Sequence, residues 1–155
     1  MKLTTLCYIQ KDNCYLMLHR IKKSQDINEG KWIGVGGKFE ADETPEECLL
    51  REVKEETGLT LLQYQYRGLL TFINSQCETE YIFLYTADAY EGTLASDCGE
   101  GILEWVPIDQ IDQLNLWEGD RIFLRYLKES TAPFSLKLKY EGDVLVETRE
   151  LLMEM

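Results

Sequence analysis

Apolar, β-branched and aromatic side chains run from Leu3 to Gln10 and again from Tyr15 to His19, separated by Lys11, Asp12 and Asn13. Two such runs around a short polar turn predict an opening hairpin. The polar stretch "IKKSQDINEG" reads as a loop, and "KWIGVGG" as a short strand ending in paired glycines. Further strands are expected near Tyr64 to Ile73, Tyr81 to Tyr90 and Leu103 to Val106. Helical spacing of Ile122, Phe123, Tyr126 and Leu127 predicts a helix from about Gly119 to Lys128. Two alternating runs around Glu141, Gly142 and Asp143 then form a closing hairpin.

The first helix is bounded at both ends. Thr44 can cap it, Pro45 suits its first position, and Glu47 completes a T-x-x-E capping box. Gly58 supplies a left-handed stop. Leu49, Leu50 and Val53 give it an apolar face that can dock on a sheet. No repeat, low-complexity tract or linker interrupts residues 1–155, which read as one domain. Strands surrounding two well-separated helices predict an α/β sandwich with a mixed sheet.

Composition fits a globular protein, with 45% hydrophobic and 28% charged residues. The net charge of −12 changes the picture more, because its field repels nucleic acid polymers and anionic membranes. A small phosphate substrate is still allowed if divalent cations bridge it to carboxylates. The five cysteines are scattered without a C-x-x-C pair, so neither a disulfide framework nor a zinc site is indicated, and a cytoplasmic location is expected. "MKLTTLCYIQ" lacks the pattern of a signal peptide, and no apolar run approaches the roughly 20 residues that cross a bilayer.

Eight of the 24 residues from 36 to 59 are Asp or Glu. On the first helix, Glu52, Glu55 and Glu56 stand at i, i+3 and i+4, within about a 100° arc. Like charges so placed repel, and a hard divalent cation taking oxygen ligands would compensate them. A solvated face of an acidic protein is the alternative. The longer pattern decides against it: Gly37, Glu43, Arg51, Glu52, Val53, Glu55, Glu56, Gly58 and Leu59 fit G-x5-E-x7-R-E-U-x-E-E-x-G-U, with U a bulky aliphatic.

This pattern resembles the Nudix box, the signature of hydrolases acting on nucleoside diphosphates linked to another group. The resemblance implies an α/β/α sandwich that binds Mg²⁺ or Mn²⁺ for attack of water on a diphosphate. It implies Glu52, Glu55 and Glu56 as metal ligands, Arg51 and Glu43 as their supports, and a carbonyl of Gly36 or Gly37 as a further ligand. "GKWIGVGGK", Glu104–Trp105 and "LWEGD" are similar to the MutT/MutX-like branch acting on oxidised purine nucleoside triphosphates such as 8-oxo-dGTP. By that likeness Glu100 is a loop ligand or base, although it can be read as an ordinary loop acid.

Trp117 is a candidate to stack on a base and Asp120 to bond its polar edge; alternatively Trp117 fills the core and Asp120 opens the second helix. Lys23 and Lys38 are candidate phosphate contacts or solvated lysines, and Phe72 lines the base pocket or the core. His19 reads as structural. The human relative has an asparagine where this chain has Ile33 and an acid where it has Gly119, which leaves base selectivity open. Other expectations for the same chemistry are ADP-ribose, a nucleotide sugar or a dinucleotide polyphosphate, and a non-catalytic nucleotide sensor is the reading from another class. Oligomeric state is not readable from the sequence.

Overall fold

The structure is a computed structural model that describes residues 1–22, 26–95 and 97–152. Strands β1 (Lys2–Lys11) and β2 (Cys14–His19) form the first hairpin. It turns on Asp12 and Asn13, whose φ of 51° and 61° are the left-handed values that a two-residue hairpin turn needs and that Asp and Asn tolerate. There follow β3 (Trp32–Ile33), α1 (Pro45–Thr57), β4 (Thr60–Asn74), β5 (Cys77–Glu91), β6 (Asp97–Cys98) and β7 (Gly101–Pro107). A 3₁₀ turn at Ile108–Gln113, α2 (Glu118–Glu129), β8 (Phe134–Glu141) and β9 (Val144–Leu152) complete the chain.

The sheet order is β6-β7-β2-β1-β5-β4-β8-β9, with β3 also on β2. The β1–β5 and β4–β8 pairs are parallel and the others antiparallel, so the sheet is mixed. α1 covers a core containing Cys7, Ile9, Leu18, Leu49 and Val53; the second core contains Tyr8, Met17, Leu84, Phe123 and Leu127 from α2. Alternate residues of β1 therefore serve opposite layers, as the period of two requires. This is the expected α/β/α sandwich.

One departure from a regular sheet places the site. β1 and β2 pair only at Gln10↔Tyr15 and Lys11↔Cys14, and then part. Residues 35 to 38 take up β1's freed hydrogen bonds: Cys7 N–H donates to Val35 O at 2.6 Å and Thr5 N–H to Gly37 O at 2.9 Å. Gly36 is needed for this approach, since a Cβ there would lie 2.0 Å from Thr5 O. The expected strand over "KWIGVGG" shrinks to Trp32–Ile33 because the chain leaves β2 for β1 at this point.

α1 is terminated as its sequence predicts. Glu47 N–H donates to Thr44 Oγ1 at 3.1 Å, Thr44 N–H donates to Glu47 Oε1 at 2.9 Å, and Gly58 stops the helix at φ 80°. Burying Leu49 and Val53 stabilises its docking by about 1.5–3 kcal/mol each. At the end of α2, buried Arg67 donates to the carbonyls of Leu127 and Ser130, a cation at the negative pole of the helix. β4 and β5 exceed the expected strands at both ends, because register shifts such as those between Leu61 and Gly68 break the period on which the reading relied. The 3₁₀ turn was not foreseen.

Candidate active site

Arg51, in the middle of α1, is the hub of the acidic segment. Its Nε and Nη2 grip both oxygens of Glu43 at 2.7 and 2.8 Å. Nη1 donates to Glu52 Oε1 at 2.8 Å and Glu55 Oε2 at 3.3 Å, and Nη2 also reaches Lys38 O at 2.9 Å. The fork thereby ties the loop before the helix to the helix itself. Its hydrogen bonds, with that from Glu40 N–H, draw the Glu43 carboxyl down to about 2.

Glu52 and Glu56, one turn apart, present their carboxylates to the break between β1 and β2. Glu52 packs on Gly37, where a Cβ would lie 2.3 Å from its Oε2. Glu56 Oε1 accepts from Gly36 N–H at 2.7 Å. Burial, then the charges of Glu100 and Glu52, push the Glu56 carboxyl up to about 8, against the opposing Gly36 bond and Arg20. Glu100 comes from the turn before β7, and Arg20 Nη1 donates to its Oε2 at 2.8 Å. Arg20 is itself fixed by Asp26 Oδ2, 2.8 Å from both Nε and Nη2.

These acids line one end of a cavity of about 450 Å³ whose other end is aromatic. Trp117 lies edge-on to Phe72 and Tyr140 at 5.2 and 4.8 Å between centroids, with Lys31 Nζ 4.6 Å from its ring centre. Its Nε1 donates to Asn28 Oδ1 at 2.7 Å. Asp120, in the first turn of α2, borders the cavity at 8% exposure, and burial pushes its carboxyl up to about 8 despite Lys31 and Arg121. One cavity thus joins an aromatic wall with polar side chains to a group of half-buried carboxylates.

The NUDIX domain model matches residues 2–127. The chain belongs to the Nudix hydrolase family. It is 32% identical over 127 residues to the Nudix hydrolase YvcI of Bacillus subtilis, covering 79% of this chain and 77% of that protein. It is also 32% identical over 127 residues to the oxidized purine nucleoside triphosphate hydrolase of Danio rerio, covering 81% and 80%. Among solved structures, the MutT protein from Bacillus halodurans aligns with a TM-score of 0.87 at 26% identity over 97% of both chains.

The Nudix box lies on α1 and on the loop that enters the break in the sheet. Of the expected residues, Glu52, Glu56, Glu100, Gly36, Gly37, Lys38, Phe72, Trp117 and Asp120 all border the cavity. Arg51 and Glu43 brace it from behind. Glu55 does not border it: its side chain is 58% exposed and turned to Arg51. The 100° arc was too coarse, because Glu52 and Glu56 share one i,i+4 stripe while Arg51 and Glu55 share the next. Of the two expected carbonyls, that of Gly37 is engaged by Thr5 N–H, whereas no donor reaches that of Gly36 among the described residues. Lys23 lies outside the described residues. Trp117 and Phe72 are both core and cavity wall, so those two alternatives merge. His19 stacks on Trp32 at 4.2 Å, a structural contact.

Sequence reasoning missed Arg20, Asp26 and Asn28. Arg20 and Asn28 bond residues 80 and 89 positions away, which no local pattern encodes. Ile33 lines the cavity without a polar group, and Asn28 brings an amide to the same cavity.

Proposed function

We propose that this Nudix hydrolase is a Mg²⁺-dependent pyrophosphohydrolase of oxidised purine nucleoside triphosphates, 8-oxo-dGTP being the first compound to test, and that it releases the nucleoside monophosphate and pyrophosphate. The observation that carries this reading is the single cavity holding Trp117, Phe72, Asn28 and Asp120 at one end and Glu52, Glu56 and Glu100 at the other. The name of the Danio rerio relative supports the same substrate class.

The carboxylates fit a hard divalent cation. They offer oxygen donors only, and burial together with the charges of Glu100 and Glu52 pushes the Glu56 carboxyl up to about 8, a repulsion that a cation would relieve. Among the described residues no three His, Cys, Asp or Glu side chains are already arranged to hold an ion, so binding would draw these carboxylates together. Glu52, Glu56, Glu100 and the Gly36 carbonyl would hold Mg²⁺ or Mn²⁺. When bound, the ion supplies neutralisation of the phosphates and a lowered pKa for the attacking water.

The protein's own groups do the rest. Arg51 and Glu43 hold Glu52 oriented, and Arg20 holds Glu100. Trp117 and Phe72 form the wall against which a base would pack. Asp120, protonated at neutral pH, can donate one hydrogen bond and accept another, and Asn28 adds an amide to the same cavity. We further assign the site to a single domain in a reducing cytoplasm, a reading supported by five free cysteines.

Purified protein incubated with Mg²⁺ and a panel of oxidised and ordinary triphosphates, ADP-ribose, a nucleotide sugar and a dinucleotide polyphosphate tests the proposal. Preferential release of monophosphate and pyrophosphate from an oxidised purine triphosphate is expected. Turnover only of ADP-ribose, the sugar or the dinucleotide refutes the substrate class. Tight nucleotide binding without turnover refutes the enzyme reading.

A further inference from the structure

Among the described residues, Glu80 lines the cavity but belongs to neither the Glu52–Glu56–Glu100 group with its Arg20–Asp26 support nor the base wall. It stands on β5, and the register places it directly opposite Phe72 on β4 and Lys2 on β1. The next row of the same face carries Ile82 of β5 opposite Thr4 of β1, and Thr4 in turn bridges Lys38, the neighbour of Gly37. Successive strands are about 4.8 Å apart. Crossing the floor from Phe72 to Lys38 and Glu52 therefore means passing over β5 at Glu80 or Ile82 and over β1 at Lys2 or Thr4, and of these Glu80 is the one acid.

In any nucleotide the pentose lies between base and phosphates. With the base on Trp117 and Phe72 and the phosphates at the Glu52–Glu56–Glu100 end, the sugar lies over β5. The floor there is a carboxylate with acceptor capacity to spare. Glu80 Oε2 accepts from Thr4 Oγ1 at 2.7 Å, and Oε1 stands 3.9 Å from Lys2 Nζ. These two contacts hold the group upright, and each oxygen keeps a lone pair for another donor. A ribose offers two adjacent hydroxyl donors; a 2′-deoxyribose offers one.

We infer that Glu80 is a specificity-determining residue that reads the pentose, accepting hydrogen bonds from its hydroxyls, so that the enzyme prefers ribonucleotides to the matching deoxyribonucleotides. The inference rests on the proposed placement of base and phosphates and extends it from the base to the sugar. One additional hydrogen bond to a charged acceptor corresponds to about a tenfold preference or more.

The test compares kcat/KM for 8-oxo-GTP and 8-oxo-dGTP in the native enzyme, Glu80→Gln and Glu80→Leu, with thermal melting as a check on folding. The native enzyme should favour the ribose form about tenfold, chiefly through KM. Glu80→Leu should bring the ratio close to one by weakening the ribonucleotide, and the isosteric Glu80→Gln should fall between and serves where the leucine variant does not fold. A native ratio near one, or a ratio that the variants leave unchanged, overturns the inference. If neither triphosphate is hydrolysed, the substrate proposal fails by itself, and the sugar reading is decided by calorimetric binding of GMP against dGMP. There a preference for GMP lost in Glu80→Gln upholds it, and equal binding, or none of either, overturns it.

Discussion

Arg20 donates to Glu100 at 2.8 Å while Asp26 holds two more of its nitrogens, so the carboxylate on the turn before β7 is steered by a cation from the end of β2. Replacing Arg20 by Gln should lower kcat/KM about 10- to 100-fold, the usual effect of losing a partner that orients a ligand. Arg20→Lys should recover only part, since it keeps the charge but loses the fork. Steady-state kinetics across a Mg²⁺ series checks both variants.

The three glutamates of the helix should not be equivalent. Glu52→Gln and Glu56→Gln remove carboxylates that face the cavity, and each should cost about 100-fold or more in kcat with folding retained. Glu55→Gln removes one that is exposed and turned to Arg51, and its loss should stay within about tenfold. Equal losses at Glu55 and Glu56, measured under the same metal concentration, would sink the division of roles.

The paired glycines should separate fold from function. A Cβ at Gly36 meets backbone, 2.0 Å from Thr5 O, so Gly36→Ala should melt far below the native protein and be inactive. The three atoms nearest a Cβ at Gly37 all belong to the Glu52 carboxyl group, the first at 2.3 Å, and not to backbone. Gly37→Ala should therefore fold with a melting temperature close to native yet lose most activity, because Glu52 is displaced. Calorimetry alongside an activity assay distinguishes the two.

Asp120 predicts a pH dependence of stability. Its carboxyl rises from an ordinary 3.8 to about 8 on folding, so between those values the folded protein binds the additional proton. Stability must then fall as pH rises through this window, by at most about 1.4 kcal/mol per pH unit, and level off beyond it. Asp120→Asn lacks this contribution. Glu56 shifts in the same direction but is present in both proteins, so the difference between them isolates Asp120. Urea titrations at pH 4, 6 and 8 should show the variant gaining on the native protein as pH rises; a constant difference would exclude a buried, protonated Asp120.

What the sequence revealed and what it withheld divide along chain distance. Thr44, Glu47 and Gly58 fix α1 through neighbours three or four residues away, and Asp12 and Asn13 fix a turn by their own backbone preference, so these elements could be read directly. The box residues could be picked out because they fall in one contiguous segment that resembles a family pattern. Asn28 supports Trp117 and Arg20 steers Glu100 only because the fold brings distant segments together. Glu55 illustrates the opposite difficulty: its helical position was read correctly, but which stripe meets the cavity depends on how α1 sits against residues 36 to 38.

β1 serves the cavity, the core and the glycine segment at once. Thr4 and Leu6 line the cavity, Cys7 and Ile9 enter the core beneath α1, and the backbone of Thr5 and Cys7 anchors the segment that carries the paired glycines. Sliding this strand by a single residue would exchange both sets at once. Random variation concentrated on β1 should therefore yield few clones that are soluble but inert, whereas variation across the exposed final strand should be tolerated widely, and a screen scoring solubility and turnover side by side would reveal that contrast.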